Sequence, residues 1–433
     1  MMFKHAHRVR DLSLGLSFPR WGKASAYSQT VLPMILHHIC TRLQGPSSGP
    51  VFPNLVTLRC RWHPSFDILF DCMPRLVNPR IRTLRIYGSA SQNFHDFPAV
   101  NQFLSTLNRS YTHVEDFSVL SGFAVQNVFT HCSKELSGLV LSLPHLRLFH
   151  SDIVIDEQAI SHLSTMCNLT SLILRIPEVS LSHETSATLE SLRYVNICAP
   201  NIESCTTLLN ALHAPTLRTL DLQFSTSCSQ PAIHRCFERI QSFKSLHNLR
   251  MWADRVAWGS YRYGPCIVPS RTMRLLYALR ELHDIRIEEH LKIDLHDEDV
   301  LEMAQAWSKL CKLVFTAFTG AYDEEVFPQL TAEALLHFAK HCPRLRQLGL
   351  AFDTSFIDTG SFDDLKAEDV GRNLNVLEIH PPLADIENPG EVARFLYRVF
   401  PNLQSVRFGD TDLAMSRGWL LVSTSFRTFS RGA

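Results

Sequence analysis

Twenty-one histidines and twelve cysteines give this 433-residue chain its greatest capacity for metal binding or nucleophilic catalysis. The segment 37–40, His-His-Ile-Cys, has the spacing of metal ligands, but it lies among apolar residues, and no pattern in the sequence places a second ligand pair within its reach. His131-Cys132 and His341-Cys342 fall at predicted helix ends, where a histidine can meet unpaired carbonyl groups. We therefore expect structural roles for these residues, and no metal or other cofactor.

The motifs of the common catalytic centres are missing from the sequence. It contains no GxGxxG or GxxxxGK phosphate loop, no GxSxG nucleophile elbow and no HExxH zinc-binding helix. The acidic segment 352–369 lacks the spacing of a calcium loop and is predicted to be a solvated loop, with a contact for a basic partner as the alternative. These observations predict that the chain is not an enzyme. An enzyme with an unrecognised site is the alternative from another class.

Arginine and aromatic residues are interleaved in the segment 254–270, DRVAWGSYRYGPCIVPS. Such residues dominate binding hot spots, because they combine a large contact area with a polar tip. The sequence therefore predicts a partner-binding insertion loop here, and a cover over an exposed end of the core is the alternative. Stacking on single-stranded RNA has weak support in so short a segment. The predicted contact residues are Arg255, Trp258, Tyr261, Arg262 and Tyr263.

The 42 basic residues balance the 42 acidic residues, so no overall field favours nucleic acid or an anionic membrane as a partner. The cysteines are scattered singly without a CxxC pair, which favours reduced, packed thiols. The N-terminal residues do not resemble a signal peptide, and no apolar stretch is long enough for a membrane span. We expect a soluble protein of the cytoplasm or nucleus.

One phrase, apolar-x-x-apolar-x-apolar, recurs along the chain and indicates the elements that position these residues. Counting a weaker copy at Leu146/Phe149, its first positions make twelve steps over 348 residues, a mean of 29. An early copy is Val9/Leu12/Leu14. The twelve clear copies begin at Leu55, Ile81, Val114, Leu169, Leu192, Leu217, Leu246, Leu282, Leu310, Leu345, Leu374 and Leu403.

Each copy predicts one short strand, because its last two apolar residues are two apart and share one face of an extended chain. Segments with helical spacing follow Asp156, Asp297, Thr331 and Asn388-Pro389. A single strand-helix unit cannot bury its apolar faces, so the units must stack. The predicted fold is an α/β leucine-rich-repeat solenoid, a horseshoe of about 12–14 irregular repeats with a parallel sheet on its concave face. A doubly wound α/β domain is the alternative.

The residue between the last two apolar positions must face away from the core. This alternation predicts a polar concave surface, rich in arginine at both ends and mixed in the middle. Its outward residues are Arg59, Arg85, Ser118, Ile173, Asn196, Asp221, Arg250, Arg286, Val314, Gly349, Glu378 and Arg407, with Thr57, Thr83, Asp116, Tyr194, Thr219, Asn248, Asp284, Lys312, Gln347 and Ser405 one position earlier. Trp252 adds an aromatic side chain on the Arg250 strand.

The segment LTAEALLHFAKHCPRLRQLGL, residues 330–350, resembles the repeat of F-box leucine-rich-repeat proteins. VFPNLVTLRCRW at 51–62, APTLRTLDL at 214–222 and VFPNLQSVRF at 399–408 are similar in style to fungal F-box-like proteins. The resemblance spans residues 8 to 410. It implies a receptor whose repeats present a protein substrate, while an F-box binds the adaptor of a cullin ubiquitin ligase.

The F-box itself is predicted to be missing or degenerate. HRVRDLSL at 7–14 resembles the first repeat that follows an F-box, which places any F-box upstream and implies a truncated chain. Alternatively, VLPMILHHICTRL at 31–43 resembles an F-box opening, with Arg59–Trp62 as its close. QGPSSGP at 44–50 would break the second F-box helix, so an ordinary repeat helix is favoured.

These patterns predict three parts: an N-terminal capping repeat and helix over 1–50, the solenoid over 51–410 and a C-terminal tail over 411–433. The predicted function is protein-protein interaction without catalysis, as the substrate-recognition part of an F-box-type receptor. A stand-alone scaffold without a ligase link is the alternative. The expected partners are a protein substrate on the concave face and, where an F-box is present, the cullin adaptor. We expect no nucleic acid or membrane partner, and a monomer within a complex.

Overall fold

The computed structural model describes most of the repeated segments of the chain. These residues are 6–14, 38, 50–61, 78–87, 98–107, 112–120, 133–177, 188–225, 228–253, 266–288, 291–316, 329–354, 357, 370–379, 386, 388–408 and 417–432. They belong to two compact units. The first comprises Met1–Pro200 with Asn210–Ala214, and the second comprises Asn201–Leu209 with Pro215–Ala433.

In the described part of the first unit, seven strands pair in parallel, each with the next along the chain. Three described helices lie between them in sequence. The strands are β1 (Asp11–Leu14), β2 (Thr57–Arg61), β3 (Thr83–Tyr87), β4 (Asp116–Leu120), β5 (Leu148–Ser151), β6 (Ser171–Arg175) and β7 (Tyr194–Ala199), and the helices are α1 (Pro98–Leu107), α2 (Lys134–Leu141) and α3 (Glu157–Ser164).

The second unit repeats this plan, with an insertion. A helix, α4 (Ile202–Ala211), starts in this unit and ends in the first. The strands β8 (Thr219–Phe224), β9 (Asn248–Ala253), β11 (Asp284–Glu288), β13 (Lys312–Phe315), β14 (Gln347–Leu350), β15 (Val376–Ile379) and β16 (Ser405–Phe408) pair in parallel in that order. The helices between and after them are α5 (Gln230–Ile240), α6 (Ser270–Met273), α7 (Asp297–Ala306), α8 (Ala332–His341), α9 (Pro389–Val399) and α10 (Arg417–Gly432).

The repeated apolar phrase forms the core of both units. Its middle residues are in register, so that they make one buried row across each set of strands: Leu58, Leu84, Phe117, Phe149, Leu172 and Val195 in the first unit, and Leu220, Leu249, Ile285, Leu313, Leu348, Leu377 and Val406 in the second. Burying each such side chain contributes roughly 1.5–3 kcal/mol. The predicted alternation of strand faces holds on β3, β7, β8, β11 and β15. The predicted outward residues Ser118, Val314 and Gly349 are instead buried.

Within each unit, one backbone carbonyl joins a repeat to the next. It belongs to the residue just before a strand, which we call the pre-strand position, and it accepts two consecutive N–H groups of the following repeat. The carbonyl of Arg82, for example, accepts from Glu115 at 2.9 Å and from Asp116 at 2.9 Å, and that of Arg346 accepts from Asn375 and Val376. Shared acceptors of this kind satisfy donors that the short strands would otherwise leave unpaired.

Several helices begin where the sequence predicts. The Asp156 carboxylate accepts from the backbone N–H of Ala159 at 2.9 Å, and the Thr331 hydroxyl accepts from Glu333. Asn388 precedes Pro389, the first residue of α9. Asp297 has an additional role, because its carboxylate accepts from both the backbone N–H and the hydroxyl of Thr331. The start of α7 is thereby attached to the start of α8.

Two features depart from the simple repeat. The described end of the predicted insertion, Cys266–Pro269, is a strand, β10, which pairs in parallel with β12 (Leu291–Asp294) in a separate two-stranded sheet. The second feature lies in the segment predicted as a tail, where α10 packs on α9 and also contacts β16. Trp419 of α10 is fully buried, with its ring 5.6 Å from that of Phe352 in an edge-to-face contact.

The described cysteines are free thiols, and those at 60, 205, 236, 266 and 342 are buried. Burial raises the pKa of Cys236 and of Cys342 to about 12, so both remain protonated and pack as small apolar groups. Cys342 donates to the carbonyls of Ala304 and Trp307 at the end of the preceding helix. Within the described parts of the chain, no helix is long and apolar enough to cross a membrane.

Candidate functional site

The candidate site is the outer face of the sheet, meaning the strand side chains that point away from the buried rows. The sequence assigns these residues to the concave surface. Arg59 and Arg85 lie opposite each other on β2 and β3. Asp221, Arg250 and Arg286 share one register position on β8, β9 and β11, as Glu378 and Arg407 do on β15 and β16. The structure therefore places these seven residues on the face predicted for them.

In the first unit the outer face carries a charged cluster around Asp116. The Arg85 guanidinium donates to the Asp116 carboxylate through Nε at 3.1 Å and also through Nη2. This hydrogen bond raises the pKa of Arg85. The neighbouring His150 ring has its Nε2 2.8 Å from the Ser171 hydroxyl. Burial, assisted by the Arg85 charge and opposed by Asp116, lowers the pKa of His150 to about 4, so this ring is neutral at physiological pH.

In the second unit Arg250 links an aromatic ring to a carboxylate. Its guanidinium carbon lies 4.5 Å from the centre of the Trp252 ring, and its Nη2 donates to Glu288 at 2.9 Å. Glu288 lies directly opposite Trp252 in the strand register. Cation-π contacts of this type contribute about 0.5–1 kcal/mol at exposed sites and orient the guanidinium. The three side chains form a preorganised patch on two adjacent strands.

A chain of polar contacts continues across the remaining strands. The Lys312 ammonium donates to the Gln347 side-chain oxygen, and the Gln347 amide donates to Glu378 at 2.7 Å. Arg407 approaches Glu378 at 3.7 Å, and Arg286 pairs with Asp284 at 3.3 Å. The contacts of Lys312, Gln347, Glu378 and Arg407 therefore link four strands, β13 to β16.

Burial lowers the pKa of Lys312, as does the positive charge of Arg286, while nearby carboxylates oppose this shift. The lysine is thus partly desolvated and depends on its acceptor at Gln347 for compensation. This residue lies one position before the outward residue of its strand, as does Gln347. On β13 and β14 the position before the outward residue therefore contributes to the outer face.

Not all predicted contact residues join these groups. Arg59 is exposed, and no described carboxylate pairs with it. Val314 faces outward in register but is only 3% exposed, so this point of the face is apolar and closed. Arg255, Trp258, Tyr261, Arg262 and Tyr263 lie outside the described residues, and their role stays a prediction.

Three members of these clusters, His150, Ser171 and Glu288, are absent from the predicted contact set. His150 is the outward residue of the weak copy at Leu146/Phe149, and it could have been found as the residue after Phe149. Glu288 lies two residues after Arg286 at the end of β11. Its importance comes from the register that places it beside Trp252, which the sequence pattern does not specify.

The clusters offer charge and hydrogen bonding but no evident chemistry of bond cleavage. Among the residues that the structure describes, no group of three or more histidine, cysteine, aspartate or glutamate side chains could hold a metal ion. The acidic segment 352–369 is described only in part, with Asp353 donating its backbone N–H to the Leu330 carbonyl at 2.7 Å.

No protein family and no curated protein matches the chain. Among solved structures, it is similar to an internalin, InlF, from Listeria monocytogenes, with 12% identity, a TM-score of 0.42, and coverage of 88% of this chain and 95% of the other. It is also similar to the leucine-rich-repeat-containing protein LegL7 from Legionella pneumophila, with 12% identity, a TM-score of 0.32, and coverage of 68% and 95%. A chain of the yeast Rad7–Elc1 complex shows 14% identity, a TM-score of 0.39, and coverage of 91% and 87%.

The class of protein follows from the repeat itself. Among the described residues, fourteen parallel strands, seven in each unit, carry one apolar phrase in register, and described helices lie between several of them in sequence. The fold is an α/β leucine-rich-repeat solenoid.

Proposed function

We propose that this chain is a protein-interaction solenoid that holds a partner protein on the outer face of its sheet. One observation supports this most directly: charged side chains recur at equivalent positions on consecutive strands, and contacts with their neighbours hold them in place. Arg250, for example, is held by Trp252 and Glu288, yet its side chain remains 44% exposed. Side chains ordered before binding lose less conformational entropy on association.

The pairing of opposite charges favours a partner with a matching pattern over one with a uniform charge. Arg250 with Glu288, Arg286 with Asp284 and Arg407 with Glu378 place both signs side by side. Like-charge contacts across an interface cost several kcal/mol, so an alternating surface selects its partner strongly. The predicted anchor residues of the 254–270 insertion belong to the same proposal.

We further propose that this interaction serves substrate recognition in an F-box-type receptor of a cullin ubiquitin ligase. The support is the resemblance of residues 330–350 to the repeats of that family. In the structure this segment is a helix, a turn at Cys342 and a strand. A scaffold without a ligase link is the competing function.

The outer-face proposal is tested with the double variant Arg250→Glu/Arg286→Glu. Proteins retained from an extract of the source cells by the wild-type chain are compared with those retained by the variant. The matched control is Arg235→Glu/Lys244→Glu, which makes the same change of charge at exposed positions off the sheet face. We expect the bound protein to be lost with the first variant and kept with the second. Equal retention by both variants would refute the outer face as the binding surface.

The ligase proposal is tested separately by a pull-down of the cullin adaptor with the full-length protein. Binding of the adaptor together with a partner on the outer face is the expected result. A full-length form that retains its partner but does not bind the adaptor would establish the scaffold function instead.

A further inference from the structure

A polar cleft lies at the edge of the second unit where three consecutive strands begin. Its volume is about 750 Å³, and it is lined by the turns that lead into β14, β15 and β16. Arg346, Asn375 and Gln404 occupy the pre-strand positions of these strands, and Arg372 lies in the turn before β15. The cleft is thus separate from the outer face of the sheet.

The described residues of the cleft present positive charge without an anion to neutralise it. Arg346 and Arg372 are exposed, and neither guanidinium is paired with a carboxylate in the part of the chain that the structure describes. None of the described lining residues is acidic. Arginine remains charged at every accessible pH and binds carboxylates through its planar array of N–H groups.

The backbone of the cleft is held in place by its own asparagines. The Asn373 amide donates to the Pro343 carbonyl at 2.6 Å, and the Asn402 amide donates to the Arg372 carbonyl at 2.7 Å. The Arg346 and Asn375 carbonyls are the shared acceptors that join successive repeats. Because these contacts fix the turns, the two arginines are presented from a rigid edge.

In the first unit, arginines at the corresponding pre-strand positions bind a carboxylate. Its consecutive pre-strand residues include Arg82, Glu115 and Arg147. The Glu115 carboxylate lies between the two arginines, at 3.1 Å from Arg82 and 4.0 Å from Arg147. In the second unit the middle position is Asn375, which brings no charge. Of these three pre-strand positions only the first carries an arginine, Arg346, and the second cation of the cleft, Arg372, comes from the turn before β15. No described carboxylate pairs with either of them.

We propose that the cleft binds a carboxylate side chain from an acidic peptide segment of a partner protein, in the manner of Glu115. Arg346 and Arg372 bind the carboxylate, while the Asn375 and Gln404 amides contact the peptide. This proposal rests on the proposed function only in that the bound molecule is a protein. It adds to the outer face a second contact surface, which recognises a carboxylate.

The test measures the binding of a fluorescent hexaglutamate peptide to the full chain by anisotropy at low salt. We expect Arg346→Gln/Arg372→Gln to weaken binding by about tenfold or more, because two charge-assisted contacts are lost. The matched control, Arg82→Gln/Arg147→Gln, removes the same charge from arginines already paired with Glu115 and is expected to stay within about twofold of the wild type. Circular dichroism verifies that both variants are folded.

Other outcomes decide against the proposal. Failure of the wild-type chain to bind the peptide, or equal loss in both variants, would show that there is no specific carboxylate site. Tighter binding of a thymidine hexanucleotide with the same dependence on Arg346 and Arg372 would assign the cleft to nucleic acid instead. The variant Arg250→Glu/Arg286→Glu separates this site from the outer face, because it should lose the partner protein while still binding hexaglutamate.

Discussion

His150 illustrates how a single polar residue on the sheet is adapted to its surroundings. Its ring is half-buried between neighbouring strands, bonded to Ser171, and flanked by Asp116 and Arg85. The opposite charges of these two residues partly cancel at the ring, so desolvation dominates and lowers the pKa to about 4. A histidine in this position stays neutral over the pH range in which an exposed histidine would titrate.

The neutrality of His150 predicts a loss of stability in mild acid. The folded pKa of about 4 lies below the ordinary value of 6.5, so the unfolded chain takes up a proton first as the pH falls. Stability should therefore decrease from about pH 6.5 to about pH 4, by roughly 1 kcal/mol for this half-exposed ring. Urea unfolding at the two ends of this window, for the wild type and for His150→Asn, measures the effect.

The Asn side chain can still bond Ser171 but does not titrate, so His150→Asn should show the smaller dependence on pH. Identical dependence in the two proteins would contradict the prediction. A pKa near 6.5 for His150, measured by nuclear magnetic resonance, would also contradict the prediction.

At the scale of the strand, the two faces of β14 differ sharply although its residues are adjacent. Leu348 is fully buried in register with Leu313 and Leu377, while its neighbour Gln347 contacts Lys312 and Glu378 on the outer face. A period of two residues produces this difference. Aspartate substitutions at these two adjacent positions therefore compare the effect of a charge in the core with its effect on the surface.

Leu348→Asp should unfold the neighbouring repeats, because it places an unpaired charge in the buried row. The expected loss is about 4 kcal/mol or more. Gln347→Asp, one residue earlier, should cost about 1 kcal/mol or less, since the side chain lies on the outer face beside Lys312. Circular dichroism and thermal melting measure both. Native-like melting of Leu348→Asp would show that the strand face is assigned incorrectly.

Helix α10 depends on one large side chain. Trp419→Ala should cost about 3–5 kcal/mol, because it removes a fully buried ring that packs on Phe352. Leu420→Ala is the matched control, since Leu420 is 56% exposed, and it should change stability by about 0.5 kcal/mol or less. Denaturant titration gives both values, and equal effects would mean that α10 does not use Trp419 as its main contact.

Much of the element structure could be predicted from the sequence, because it follows from local rules. The apolar phrase specifies strand faces, and Asp156 and Thr331 specify helix starts through their own side chains. The pairing of Arg250 with Glu288 and the β10–β12 sheet could not be predicted, since both depend on which residues the register brings together. Helix α10 was missed because it lies after the last copy of the phrase.

At the scale of the whole molecule, stability is distributed over many similar contacts between neighbouring repeats. In such an architecture each repeat is stabilised mainly by the repeats beside it. A local defect should therefore weaken nearby strands first and distant strands little. This differs from a protein with one central core, in which a single defect lowers the stability of all elements together.

Hydrogen exchange tests this distribution. Leu348→Ala should accelerate amide exchange in β13, β14 and β15 by about tenfold or more, and change it little in β2, β3 and β4. Leu58→Ala, in the first unit, should give the opposite pattern. Mass spectrometry of peptic fragments measures the exchange in both variants. Uniform acceleration along the chain in either variant would indicate one cooperative unit and refute the prediction.

The contact of α10 with β16 has a consequence for self-association. The last strand of an open sheet exposes unpaired N–H and C=O groups that can recruit a strand from another molecule. A helix lying against such a strand obstructs that approach. We therefore expect Trp419→Ala, which removes the ring that packs α10 on Phe352, to increase self-association of the protein as measured by light scattering.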